Sequence, residues 1–209
     1  MITVENIRKM LLNAVEIIKE NHQELSRLDA ATGDGDHGTT MVRAMGAIEK
    51  VCTEKQDIDI AGLLHAAGWE IMCADGGSTG PLFGSFFMGM SKPAKDKTEL
   101  NAADIFEMFT AALAAIRKQS KAQVGDKTMI DALVPAVEAI EASVAAGSSV
   151  AHSMDAGAKA AAKGAADTKE YQAKFGRARN LKERSIGHVD AGATSISYMF
   201  RAFADSLAD

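Results

Sequence analysis

Residues 3–28 read TVENIRKMLLNAVEIIKENHQELSRL. Val4, Ile7, Leu11, Val15 and Ile18 recur at three- and four-residue spacing, which puts apolar side chains on one face of a helix. Thr3 offers an N-cap oxygen, and Glu5 suits the positive end of the helix dipole. The pattern predicts a helix to about Leu28 that delivers Asp29 at its C-terminal end. The same rhythm returns near 38–54, 58–74, 78–91, 102–120, 129–146, 149–166 and 191–208. No alternating β-branched run bounded by turns occurs. The expected fold is all-α: one domain over 1–209, an antiparallel bundle of eight helices with no sheet.

Composition agrees. Aromatics are only 5% of the 209 residues and there are three prolines, a mix that favours helices over a sandwich or barrel of strands. The formal net charge of -5 argues against nucleic acid as a partner, so any polyphosphate ligand would need metal ions for neutralisation. No run approaches the roughly 18 apolar residues of a membrane helix, and the N-terminal MITVENIRKM has no signal-like apolar core. A cytoplasmic protein is expected. Cys52 and Cys73 read as reduced core thiols. Asn101 and Thr128 are expected helix caps, each followed three residues later by Asp104 or Asp131. Pro135 should kink its helix or move its start.

After the first helix comes DAATGDGDHGTTM, residues 29–41. An Asp-Gly turn accounts for one or two of these residues. Asp29, Asp34 and Asp36 together place three repelling negative charges within a short turn. Mg²⁺ fits that demand, because it takes oxygen ligands and bridges a few carboxylates to phosphates. A calcium EF-hand does not, since the sixth and twelfth positions from Asp34 are Thr39 and Met45 instead of Gly and Glu. The following HGTTM opens a helix, whose unpaired N–H groups and Thr39 and Thr40 hydroxyls make an anion site. His37 falls between the metal and anion positions.

Two other stretches bear on function. In DGGSTGPLFG (75–84), Gly76, Gly80 and Gly84 are four apart and would line one helix face, while Ser78 and Thr79 begin a helix and offer a second phosphate-contacting turn. Residues 168–188 have weak periodicity and six Lys/Arg against two Glu, the profile of a lid or a disordered segment. Arg177, Arg179, Lys182 and Arg184 would be either a solvated basic face or a phosphate clamp. Asp190 is placed to cap the last helix. Neither a Walker motif nor a strand-borne G-x-G-x-x-G occurs.

Taken together, DAATGDGDHG (29–38), GGSTGPLFG (76–84), GDKTMIDALVP (125–135) and GRA…ERSIGHVDAGATS (176–195) resemble the ADP-binding L subunits of bacterial dihydroxyacetone kinases. The resemblance spans nearly the whole chain in order. It implies an eight-helix barrel with ADP or ATP at one end, held by two Mg²⁺ on Asp29, Asp34 and Asp36. It also implies His37, Gly38, Thr39, Thr40, Ser78, Thr79 and Arg177 around the phosphates. Ser120, Met129, Asp190, Ala191 and Gly192 would line the nucleoside end. The implied activity is phosphoryl transfer to dihydroxyacetone bound on a separate K subunit. A phosphotransferase-system subunit would rephosphorylate ADP in place. Two alternatives stand beside it: an ATP-dependent kinase subunit for a related ketose or tetrose, and a nucleotide-state sensor that binds a transcription regulator. A homodimer is compatible with all three.

Overall fold

The computed structural model describes residues 1–74 and 77–208. Among these, eight α-helices carry the chain: α1 (Val4–Ala30), α2 (His37–Glu54), α3 (Ile60–Cys73), α4 (Thr79–Ser91), α5 (Ala102–Gln119), α6 (Ile130–Ala145), α7 (Val150–Asp167) and α8 (Ala191–Asp205). Each helix packs on the one before it and the one after it, and α8 packs on α1. That last contact closes the row into a barrel.

The expectation of no sheet needs one correction. Strands β1 (Ile2–Thr3) and β2 (Glu99–Leu100) pair antiparallel, with Ile2 opposite Leu100. Strands this short carry no readable period, and their pairing depends on where the barrel brings the two segments.

The apolar stripe of α1 faces inward as expected: Ile7, Leu11, Val15 and Ile18 are all buried. Its capping box uses Asn6, whose Oδ1 accepts from the Thr3 N–H at 2.9 Å while Thr3 Oγ1 accepts from the Asn6 N–H at 3.4 Å. Phenylalanines from three helices meet in the interior. Phe109 of α5 lies 4.9 Å from Phe200 of α8 and 6.1 Å from Phe86 of α4, ring centre to ring centre. Such tilted pairs contribute about 0.5–1.5 kcal/mol each beyond their buried area.

Asn101 caps α5 with Asp104 in a complete capping box. Thr128 caps α6 from one residue further out, its hydroxyl accepting from the Ile130 N–H at 3.2 Å. The helix begins at Ile130, and it is the Asp131 carboxylate that accepts from the Thr128 and Gly125 N–H groups, at 2.7 and 2.5 Å. Pro135 lies within α6. It cannot donate to the Asp131 carbonyl four residues back, and Gly164 of α7 packs against that carbonyl, where a Cβ would come within 2.1 Å. Cys52 is buried, and burial pushes its thiol up to about 11. Cys73 is exposed, contrary to expectation. The stretch IAGLLHAAGWEIMC is apolar on nearly every side, so its sequence does not mark which face turns outward.

Candidate nucleotide site

In an up-and-down ring, every second connection falls at the same end. The α1–α2, α3–α4, α5–α6 and α7–α8 links all contribute to one cavity of about 840 Å³. Of the residues expected at the site, Asp29, Asp34, Asp36, His37, Ser78, Thr79, Ser120, Met129, Arg177, Asp190, Ala191 and Gly192 line it. Gly38, Thr39 and Thr40 do not. Gly38 and Thr40 are buried in the first turn of α2, and Thr39 faces solvent. Gly80 and Gly84 seat α4 on α3, where a Cβ at Gly84 would lie 2.9 Å from the Gly68 carbonyl. Gly76 lies outside the described residues.

Asp29 ends α1, Asp34 stands in the link and Asp36 precedes α2. One carboxylate oxygen from each falls within 4.8 Å of the others. Gly35 makes the turn with a φ of 77°, a backbone region closed to most side chains. The donor set is all oxygen and triply anionic, which fits Mg²⁺. Arg177 reaches into the same cluster. Its Nη1 pairs with Asp34 and lies 3.7 Å from Asp36, so the guanidinium meets the acidic turn directly.

The start of α2 is held tightly. A Cβ on Gly38 would come 1.9 Å from the His22 carbonyl of α1, so only glycine permits this approach. The His37 N–H points to Asp29 Oδ2 at 3.4 Å, and its Nε2 lies 2.8 Å from Ser195 Oγ on α8. Burial pulls the His37 pKa below the ordinary imidazole value, against the opposing pull of the Asp29 charge and the Ala191 carbonyl. At the mouth of α8, Asp190 caps the Ala193 N–H at 2.7 Å. Loss of solvation raises its carboxyl to about 6, and the nearby Asp131 charge adds to the rise.

The 168–190 segment is a strap with 3₁₀ turns at Thr168–Glu170 and Ala178–Ser185, the latter broken at Lys182 by a positive φ. Its ends are tied to the α5–α6 link. Lys127, 2% exposed, donates through Nζ to the carbonyls of Thr168 and His188. Lys174 reaches back to Asp126 at 2.7 Å. Arg177 therefore sits on a segment whose base is anchored beside the cavity.

Against known proteins, the DAK2 domain model matches residues 31–205. The chain belongs to the DAK2 domain family. It is 38% identical over 187 residues to the ADP-binding subunit DhaL of PEP-dependent dihydroxyacetone kinase 1 from Listeria innocua, covering 90% of this chain and 88% of that one. It is 35% identical to the ADP-binding subunit DhaL of the PTS-dependent enzyme of Lactococcus lactis, with both chains covered in full. The dihydroxyacetone kinase of C. freundii, solved in complex with AMP-PNP and Mg²⁺, superposes with a TM-score of 0.75 at 26% identity. That match covers 95% of this chain and 33% of the longer C. freundii chain.

Sequence reasoning passed over several residues of this DAK2 site. Phe83, Ile116 and Ile130 give the cavity an apolar wall, yet in sequence they are indistinguishable from core positions. The buried Lys127 sits in the GDKT stretch, whose left-handed backbone (φ 60°) no simple pattern marks. Ser195 belongs to an apolar helix face, and only the approach of α2 to α8 brings it the His37 ring.

Proposed function

We propose that residues 1–209 form one nucleotide-binding domain, the ADP/ATP-holding subunit of a dihydroxyacetone-type kinase. The terminal phosphoryl group passes to dihydroxyacetone carried by a separate K-type subunit. A phosphotransferase-system protein then rephosphorylates the retained ADP, a reading supported by the Lactococcus relative's being named PTS-dependent and the Listeria relative's being named PEP-dependent. The observation that carries this reading is the cluster of Asp29, Asp34 and Asp36, whose oxygens converge at the acidic end of a nucleotide-sized cavity.

Asp29, Asp34 and Asp36 would hold Mg²⁺, which neutralises phosphate charge when bound. The chain's own residues then position and shield. Ser78 and Thr79, at the start of α4, offer hydroxyls and helix-end N–H groups to phosphate oxygens. Arg177 trades its carboxylate partners for phosphate as the ligand arrives. Met129, Ile116 and Phe83 give an apolar wall for the base, and residues 175–180 of the strap line the cavity as well. Phosphoryl transfer draws mainly on positioning and electrostatics, so no covalent nucleophile is required of this chain.

The test combines calorimetry and activity. Asp34→Asn should remain helical and lose Mg²⁺-dependent ADP binding, together with kinase activity when K-type subunit is added. The wild-type chain alone should not phosphorylate dihydroxyacetone. Unchanged Mg²⁺-dependent affinity in the variant, or turnover by the isolated chain, would overturn the assignment.

A further inference from the structure

Apart from Met1, the large apolar side chains that stand exposed among the described residues are Trp69, Met72, Val124 and Ile186. Trp69 and Met72 lie near the end of α3, where Glu70 is already paired with Lys50. Val124, 49% exposed, stands in the α5–α6 link, and Ile186, 45% exposed, stands in the strap. Those two segments form one surface. The Lys174 N–H donates to the Asp126 carbonyl at 3.2 Å, and Ser185 Oγ accepts from the Ala173 N–H at 2.9 Å. Lys127 holds both ends of the strap, so the surface is formed before anything docks on it.

Its charge is lopsided. Arg117, Lys118, Lys121, Lys169, Lys182 and Arg184 are exposed on the last turn of α5, the link and the strap, and none of them forms an ion pair among the described residues. The exposed acids on the same segments are Glu170 and Glu183, in a chain whose net charge is -5. None of the six cations lines the cavity, so a nucleotide held there leaves them unpaired.

We propose that the α5–α6 link and the strap form a docking surface beside the cavity mouth for the K-type subunit, which would present an acidic face with an apolar centre. This assignment rests on the kinase reading. Carboxylates would meet the cations at the rim, while apolar side chains cover Val124 and Ile186, the layout of an interface with a dry centre and a polar edge. A nucleic-acid backbone answers the cations and has no use for the two apolar side chains. A membrane surface calls for a wider apolar face than two residues supply. Strap residues 175–180 line the cavity, so a partner seated on the outer side of the strap stands next to the departing phosphoryl group. The six cations steer its approach, and the two apolar side chains hold it.

Biolayer interferometry with the full chain immobilised and the K-type subunit in solution reads the contact. Lys121→Glu/Lys169→Glu should slow association about tenfold at low salt and flatten its salt dependence. Ile186→Ser should speed dissociation about fivefold. The same charge reversal in the exposed α4–α5 link at the far end, Lys92→Glu/Lys95→Glu, should leave both rates within about twofold of wild type. Calorimetric Mg²⁺–ADP affinity should stay within about threefold of wild type throughout, since none of these side chains lines the cavity. Wild-type rates in both docking-surface variants, or equal slowing in the far-end variant, would overturn the surface and leave the kinase reading standing. Binding to vesicles of phosphatidylcholine and phosphatidylserine that is lost in Lys121→Glu/Lys169→Glu would overturn it in favour of a membrane. If the wild type binds neither Mg²⁺–ADP nor the K-type subunit, the kinase reading falls and takes this occupant with it.

Discussion

The ammonium of Lys127 donates to the carbonyl of Thr168 at 2.6 Å, joining two connections that lie 41 residues apart in sequence. The same nitrogen reaches the His188 carbonyl, so both ends of the strap hang from one side chain. Burial lowers the lysine pKa, opposed by the charges of Asp190, Asp131 and Glu170. The charge is offset by carbonyl dipoles and by carboxylates at longer range.

Lys127→Met keeps the stem and removes the donors. It should destabilise the fold by about 1–3 kcal/mol, the cost of leaving buried carbonyls unpaired. The Gly187 and Asp190 amides, now bonded to the Lys169 carbonyl and the Thr168 hydroxyl, should exchange faster, while those of α1 stay protected. Hydrogen exchange by mass spectrometry checks this. Equal strap exchange in both proteins would deny Lys127 its anchoring role.

Arg177 makes a prediction with two opposite signs. Its side chain is 63% exposed and paired with Asp34 and Asp36. It competes with a cation for those carboxylates and would favour a phosphate once one is present. Arg177→Met should therefore bind Mg²⁺ alone about two- to fivefold more tightly and Mg²⁺–ADP more weakly, with the melting temperature almost unmoved. Calorimetric titrations of the ion and of the complex read both signs. Because Arg177 already neutralises part of the cluster, Asp34→Asn should gain little metal-free stability from relieved repulsion.

Two glycines on α2 should answer alanine in opposite directions. At Gly38 the new Cβ meets the His22 carbonyl at 1.9 Å, and at Gly46 it meets nothing within 4 Å. Gly38→Ala should cost about 1–3 kcal/mol and disturb the metal turn. Gly46→Ala should stabilise by about 0.5–1 kcal/mol through helix propensity. Chemical denaturation of the pair decides, and a harmless Gly38→Ala would contradict the close packing of α1 and α2.

Asp190 gives the fold a pH signature. Its folded carboxyl titrates near 6, above the ordinary value, because burial and the Asp131 and Asp29 charges outweigh Lys127 and the Ala193 N–H. The folded state thus holds a proton that the unfolded chain has released between about pH 4 and pH 6. Its contribution is fully present below about pH 4 and is lost as pH rises through 6. Asp190→Asn retains the cap without the charge. Relative to wild type, the variant should gain up to about 3 kcal/mol between pH 4 and pH 7. Urea unfolding at both pH values measures the difference, and a pH-independent gap would mean Asp190 is ordinary.

The periodic spacing of Val4, Ile7, Leu11, Val15 and Ile18, and of its counterparts along the chain, determined the helices, because burying one face of a helix needs only local order. The acidic turn was equally legible, since Asp29, Asp34 and Asp36 are close in sequence and their charges repel whatever the fold. Tertiary structure alone decided the rest. Closure of α8 onto α1, the β1–β2 pair, the outward face of Cys73 and the partnership of Arg177 with Asp34 all join distant segments. Lys127 and Ser195 are the clearest cases. A lysine in a turn and a serine on a helix carry no local mark of their contacts with Thr168 and His37, because those residues lie 41 and 158 positions away and meet them only when the barrel closes.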